Sequence, residues 1–169
     1  MAIGSSAMCG TFKREILAGI HFWTAHTRTG SSAISADTFK IAMFTNSASI
    51  DADTTGYTTS NEVSGTGYSA GGATLGSVTL GLADNSSSVP TAFLDFADTT
   101  FSSSTISSAR GALIYNSTLS TAGTGSTTNH AADPAVAVIN FGGDKSSSSG
   151  DFTIQYPAND ANNAIIRIA

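Results

Sequence analysis

The residues best able to do chemistry lie in one polar stretch. "DADTTGYTTSNE", residues 51–62, sets Asp51, Asp53 and Thr55 at the first, third and fifth places of an EF-hand-like loop, with Gly56 sixth and Glu62 twelfth. Calcium takes six to eight oxygen ligands, and this spacing can wrap them around one turn. The flanks disagree with the motif. A strand-like run ending at Phe44 precedes the loop and Val63-Ser64-Gly65 follows it, where an EF-hand needs helices; Thr58 stands where an apolar residue should pair two loops. The stretch therefore reads as a solvated turn built with ordinary Asp and Gly turn chemistry. Asp51, Asp53, Thr55 and Glu62 remain the one metal candidate, and no cofactor is expected.

"NEVSGTGYSAGGATL", residues 61–75, overlaps that loop and carries Gly65, Gly67, Gly71 and Gly72. It matches neither GxGxxG nor GxxxxGK[ST], and a strand-like run follows it where a phosphate loop would open a helix. Its glycines are expected to take positive φ where a long loop enters a strand. Elsewhere, His21 lies beside a helical apolar face, His26 follows it, and His130 stands near Asp133 in a long loop. The one GxSxG spacing, Gly67 to Gly71, runs into a strand-like segment rather than the helix a nucleophile elbow needs, and no HExxH occurs, so nothing orders a Ser, His and Asp into a triad. Two aspartates meeting in space for glycoside hydrolysis stay an open alternative, but no charged cluster marks such a pair. Cys9, the single cysteine, excludes an internal disulfide and a cysteine zinc site. The expectation is a protein that is not an enzyme.

Composition narrows the class. The chain has 169 residues, 40% hydrophobic and only 11% charged, against about 25% charged in ordinary domains. Its 26 Ser and 23 Thr fill the polar balance. Hydroxyls suit a surface packed against neighbours, because burying them costs less than burying charges. Seven scattered Lys and Arg against 12 acidic residues leave no basic stripe for phosphates, so no nucleic acid partner is expected. No apolar run nears the ~20 residues of a membrane span, and residues 16–25 make a poor secretory signal.

The elements that must position these residues follow from periodicity. Phe12, Ile16, Ile20 and Trp23 recur at helical spacing, which predicts a helix over residues 11–25, capped by Thr11 and weakened inside by Gly19. Residues 1–10 read as a flexible arm and 11–169 as one domain. Strands are expected at residues 38–44, 73–82, 91–96, 110–116, 135–141, 151–156 and 164–168, with a short one near Thr105 and Ile106. Asp84-Asn85, Gly142-Gly143, Ser149-Gly150 and Pro157 read as turns between them. Residues 117–134 form a long polar loop of the kind that often carries function. One short N-terminal helix before a series of strands predicts a mainly β fold, an antiparallel β-sandwich or jelly-roll-like architecture.

In "NEVSGTGYSAGGATL" the segment resembles one in small virion proteins of tailed bacteriophages, E-V-x-G-x-G-Y-x-x-G-G followed by a short strand. "FLDFADTTFSSSTISSARGALIYN" (residues 93–116) and "AVAVINFGGDKSSSSGDFTIQYPA" (residues 135–158) are similar to that family's later segments, in the same order. The loop at 117–134 and the insertion "NDANNA" depart from it. The resemblance implies a virion structural protein and supplies no catalytic residues. From it follows the expectation of a capsid decoration, or cement, protein on the head surface, partnered by the major capsid protein and by copies of itself as a homotrimer, with no membrane. Ile16, Ile20, Trp23, Tyr57 and Tyr68 are its candidate interface residues. The alternative is a tail, neck-fibre or baseplate adhesion module that stacks host-surface carbohydrate on Tyr57 or Tyr68.

Overall fold

The computed structural model describes residues 3–27, 32–124 and 129–169. In chain order its elements are β1 (Ala7–Met8), α1 (Gly10–Leu17), β2 (His26–Thr27), β3 (Ala33–Ile34), β4 (Phe39–Thr45), β5 (Gly65–Thr66), β6 (Ala73–Thr74), β7 (Thr79–Asp84), β8 (Pro90–Asp95), β9 (Thr99–Asn116), β10 (Ala135–Ile154) and β11 (Ile166–Ile168). The fold is mainly β, with antiparallel sheets and one short helix among the described residues, in keeping with the β-sandwich-like class. Two compact units form: Met1–Thr74 with Phe101–Phe152, and Leu75–Thr100 with Thr153–Ala169.

The larger unit is organised by the sheet β1-β10-β9-β4-β6, with β5 also paired to β9. Its centre is the ladder of β4 with β9, from Phe39 opposite Asn116 to Phe44 opposite Gly111. Ile41, Ala42, Met43 and Phe44 are all fully buried, so β4 is covered on both faces. That explains its nearly unbroken apolar sequence, since a strand buried on both sides loses the polar half of its alternation. Alternation puts Phe39, Ile41 and Met43 on one face with Ile114 and Asn116. Trp23 stacks on Phe39 at 3.7 Å, and Phe12 lies edge-on to Trp23 at 6.0 Å. Fully burying a side chain such as Phe12 contributes about 1.5–3 kcal/mol.

The helix is shorter than the apolar spacing predicts. It ends at Leu17, not near Ala25, because Gly19 adopts φ 66°. The N–H of Gly19 bonds to the carbonyl of Ile16, and that of Ile20 to the carbonyl of Glu15. This pair of bonds is a Schellman motif, so Gly19 stops the helix rather than weakening its interior. Thr11 is not the cap either. Cys9 holds the N-cap position without a side-chain capping bond, and Thr11 Oγ1 is buried without a partner. Residues 3–10, expected as a flexible arm, instead run along the sheet: Ala7 and Met8 pair with Val138 and Ala137, while Ile3 and Cys9 are buried.

The largest departure is in β9 and β10. Gly142-Gly143 and Ser149-Gly150, expected as turns, lie inside one 20-residue strand, and the separate strand near Ile106 belongs to an 18-residue one. Ser103, Ser108 and Ser149 have positive φ of 49°, 56° and 52°. A residue in that conformation breaks the ladder locally, as a bulge does. Hydroxyls fill the gaps. Ser147 Oγ accepts from the N–H of Ile106, Ser146 Oγ from Ser108, and Thr105 Oγ1 from Ser149. Ser104 donates to the carbonyl of Gly150 at 3.0 Å and lies 2.7 Å from Ser147 Oγ.

The smaller unit carries the sheet β11-β8-β7. Its β7–β8 hairpin turns where Asn85 bonds to Val89, as Asp84-Asn85 predicts. The run 73–82, expected as one strand, splits into β6 and β7, which join different sheets, and Ser77 between them has φ 50°. Asp95 is 2% exposed at the end of β8; its Oδ1 accepts from the N–H of Phe96, while Oδ2 is buried without a partner.

Candidate functional site

The acidic loop is a chain-tying turn. Asp51 Oδ1 accepts from the N–H of Asp53, and Thr54 Oγ1 accepts from the N–H of Asp51. The carbonyl of Ala52 takes the N–H of Gly10, which anchors the start of α1. Glu62, the twelfth place of the expected calcium loop, is engaged elsewhere. Asp51, Asp53, Thr55 and Glu62 are therefore not brought together as ligands, and no group of three His, Cys, Asp or Glu among the described residues is placed to hold a metal.

Glu62 is the centre of a buckle. Tyr57 and Tyr68 donate their hydroxyls to its two carboxylate oxygens, each at 2.6 Å, and the N–H of Gly71 donates to one of them at 2.8 Å. The hydroxyl of Tyr68 in turn accepts from the backbone N–H of Met43 in β4. Tyr115 stacks on Tyr57 at 4.5 Å and donates to the carbonyl of Gly71. Burial first, and the bond to Glu62 second, push the phenols of Tyr57 and Tyr68 upward, while burial pushes Tyr115 to about 12. All three stay protonated donors near neutral pH. The four glycines of this segment have positive φ, as its spacing suggests. Gly72 is the tightest: a Cβ there would sit 1.8 Å from the carbonyl oxygen of Ile41.

A second polar group lies under α1. Glu15 of α1 is fully buried, and its Oε2 meets His21 Nε2 at 2.9 Å. His21 Nδ1 faces Asn116 Nδ2 at 3.0 Å, and the same amide nitrogen donates to Asp37 Oδ2 at 2.8 Å. Asn116 Oδ1 accepts from the N–H of Thr118. These partners fix the protons. A carboxylate only accepts and a backbone N–H only donates, so the NH₂ of Asn116 faces Asp37 and His21. His21 then accepts at Nδ1 and donates from Nε2 to Glu15. Burial pulls the imidazole below its ordinary range, opposed by Glu15 and then by Asp37. The group is sealed, since the side chains of His21 and Glu15 are both 0% exposed. It has acid–base components but no access for a substrate. Cys9 is equally inert: burial, then Asp51 and Glu15, push its thiol up to about 12.

Of the candidate interface residues, Tyr68 is buried and the other four are half-buried. Ile16 and Ile20 are half-buried, and with the helix ended at Leu17 they share no helical face with Trp23, which stacks on Phe39. Tyr68 is buried and lies 5.1 Å from Phe101, and the half-buried Tyr57 stacks on Tyr115, so both rings take part in internal packing. His130 bonds to the carbonyl of Ala131, next to it in the chain. The sequence reading missed the exposed apolar residues: Leu80 at 51%, Leu82 at 74%, Val89 at 39% and Ile168 at 51% in the smaller unit, and Leu17 at 89% on α1. Their one signal was apolar residues on both faces of residues 73–82. No described helix is long and apolar enough to cross a membrane. The chain matches no protein-family model, no curated protein and no solved structure.

Proposed function

We propose that this is a virion structural protein of a tailed bacteriophage, acting as a head decoration protein that binds the capsid surface and copies of itself. One observation carries the adhesive part of the reading: the sheet β11-β8-β7 bears an apolar face on which Leu94 and Ile166 are buried but Leu80, Leu82 and Ile168 stay exposed. Leu80, Leu82 and Ile168 share that face by alternation and register, since Leu82 and Ile168 both lie opposite Ala92. Both edge strands, β7 and β11, have no further strand partner among the described residues. An apolar face between open edges is costly to leave in water and ready to pair with another chain. The ordered run of virion-like segments supplies the biological setting. A protein that binds only the assembled shell stabilises it by linkage.

Copy number in purified particles tests the location: copies in the hundreds support the head, and a dozen or fewer favour neck or tail. Light scattering tests self-association. The wild-type chain should form a closed oligomer, and Leu82→Glu should return it to a monomer that keeps the wild-type circular dichroism spectrum, because Leu82 is exposed in the single chain. A wild-type monomer that also fails to bind assembled shells removes the adhesive reading.

A further inference from the structure

We propose that Glu15, His21, Asn116 and Asp37 form an acid-sensitive latch, which holds α1 and the turn after it against the end of β9 while His21 is neutral and releases them when His21 gains a proton. The cluster joins four places in the chain: Glu15 in α1, His21 after the helix stop, Asp37 before β4 and Asn116 at the end of β9. Asp37 Oδ2 also accepts from the N–H of Phe22, so the same carboxylate fixes the turn.

Protonation strikes the cluster at one atom. A charged imidazole carries an N–H on Nδ1, and at 3.0 Å that hydrogen meets the NH₂ of Asn116. Asn116 cannot rotate its amide to help. Rotation would aim its carbonyl oxygen at the Asp37 carboxylate and its NH₂ at the N–H of Thr118, replacing two good bonds with two repulsive contacts. The charged groups around His21 are Glu15 and Asp37, which favour the proton, and His130, which opposes it; Arg14 lies 3.8 Å from Glu15 Oε1. Burial is the largest influence and opposes the charge. Phe12 and Phe39 flank the ring at 5.0 and 6.1 Å and offer it no acceptor.

The sign follows from linkage. The unfolded or released imidazole binds a proton near the ordinary value of about 6.5 and the latched one only at lower pH. The latch is therefore strongest above that value and weakens as pH falls through it, the open-to-closed ratio approaching about a tenfold change per pH unit below it until the latched imidazole itself titrates.

Hydrogen exchange read by mass spectrometry, corrected for intrinsic rates, tests this on the full chain. Peptides from α1 and residues 18–24 should lose protection by about five- to sixfold between pH 6.5 and 5.5, while β4 peptides hold theirs. In His21→Gln that selective loss should vanish. Proton NMR gives a readout independent of how well the glutamine variant packs. The wild-type His21 imidazole should titrate below about 6.5, and Asn116→Asp, which places an acceptor opposite Nδ1, should move the midpoint upward. A His21 midpoint above the ordinary value, or α1 protection that ignores pH while His21 titrates, overturns the latch.

Discussion

Single side chains show how this protein places its few charges: the half-buried Glu62 is held by hydroxyls and a backbone amide, the fully buried Glu15 by an imidazole. Glu62 receives two phenols and a backbone N–H. Tyr68→Phe removes both the bond to Glu62 and the acceptor for Met43 N–H, so it should destabilise by about 1–3 kcal/mol in urea unfolding. Tyr57→Phe loses one bond at a half-exposed residue and should fall at the low end of that range. Asp95 runs the other way. Burial raises its carboxyl above the usual range, with further upward pushes from Asp98 and Asp160. A raised folded-state value means the folded protein holds the proton more tightly, so stability from this group is lost as pH rises above about 4. Asp95→Asn should melt above the wild type at pH 7, with the gap closing as pH falls towards 4. At this scale the residue types were visible in the chain and their partners were not. Glu62 stands at the twelfth place of a calcium spacing, yet it bonds to tyrosines that spacing does not mention.

Between residues and the whole fold, glycine and serine set where elements begin, bend and stop. Gly72 has φ 71° and lies where β6 approaches β4. Gly72→Ala should unpair β6 or destabilise the protein by more than about 1 kcal/mol, because the methyl would overlap Ile41 O and the backbone sits where L side chains are strained. Gly76→Ala is the control. Nothing lies within 4 Å of its added carbon, and it should be close to neutral in the same thermal melt. The helix stop at Gly19 and the serine conformations in β9 and β10 obey the same principle with different residues. Gly-Gly and Ser-Gly pairs read as turns because glycine takes positive φ without strain and the serine hydroxyl bonds to nearby backbone. Inside two long paired strands the same preference is spent on bulges, and neighbouring hydroxyls restore the lost bonds.

For the molecule as a whole, the low charge and high Ser and Thr content has an internal explanation as well as an adhesive one, since many of these hydroxyls close gaps between β9 and β10. The surface proposed to meet neighbours is the exposed apolar part of the sheet β11-β8-β7, and the Leu82→Glu result in light scattering belongs to this scale. Local chemistry along the chain determined the mainly β class, the existence of a short N-terminal helix, the apolar strands at β4, β8 and the two ends of the β9 and β10 segments, and the positive φ of Gly65, Gly67, Gly71 and Gly72. Those features depend on side-chain alternation, turn preference and steric freedom, all of which act over a few residues. Tertiary structure alone decided that Glu15, His21, Asp37 and Asn116 share one buried cluster and that the serine-rich segments continue as strands. Glu15 and Asn116 are about a hundred positions apart. Only the ladder that sets Phe39 opposite Asn116, and the helix stop at Gly19 that returns His21 to that face, bring both within hydrogen-bonding range of His21.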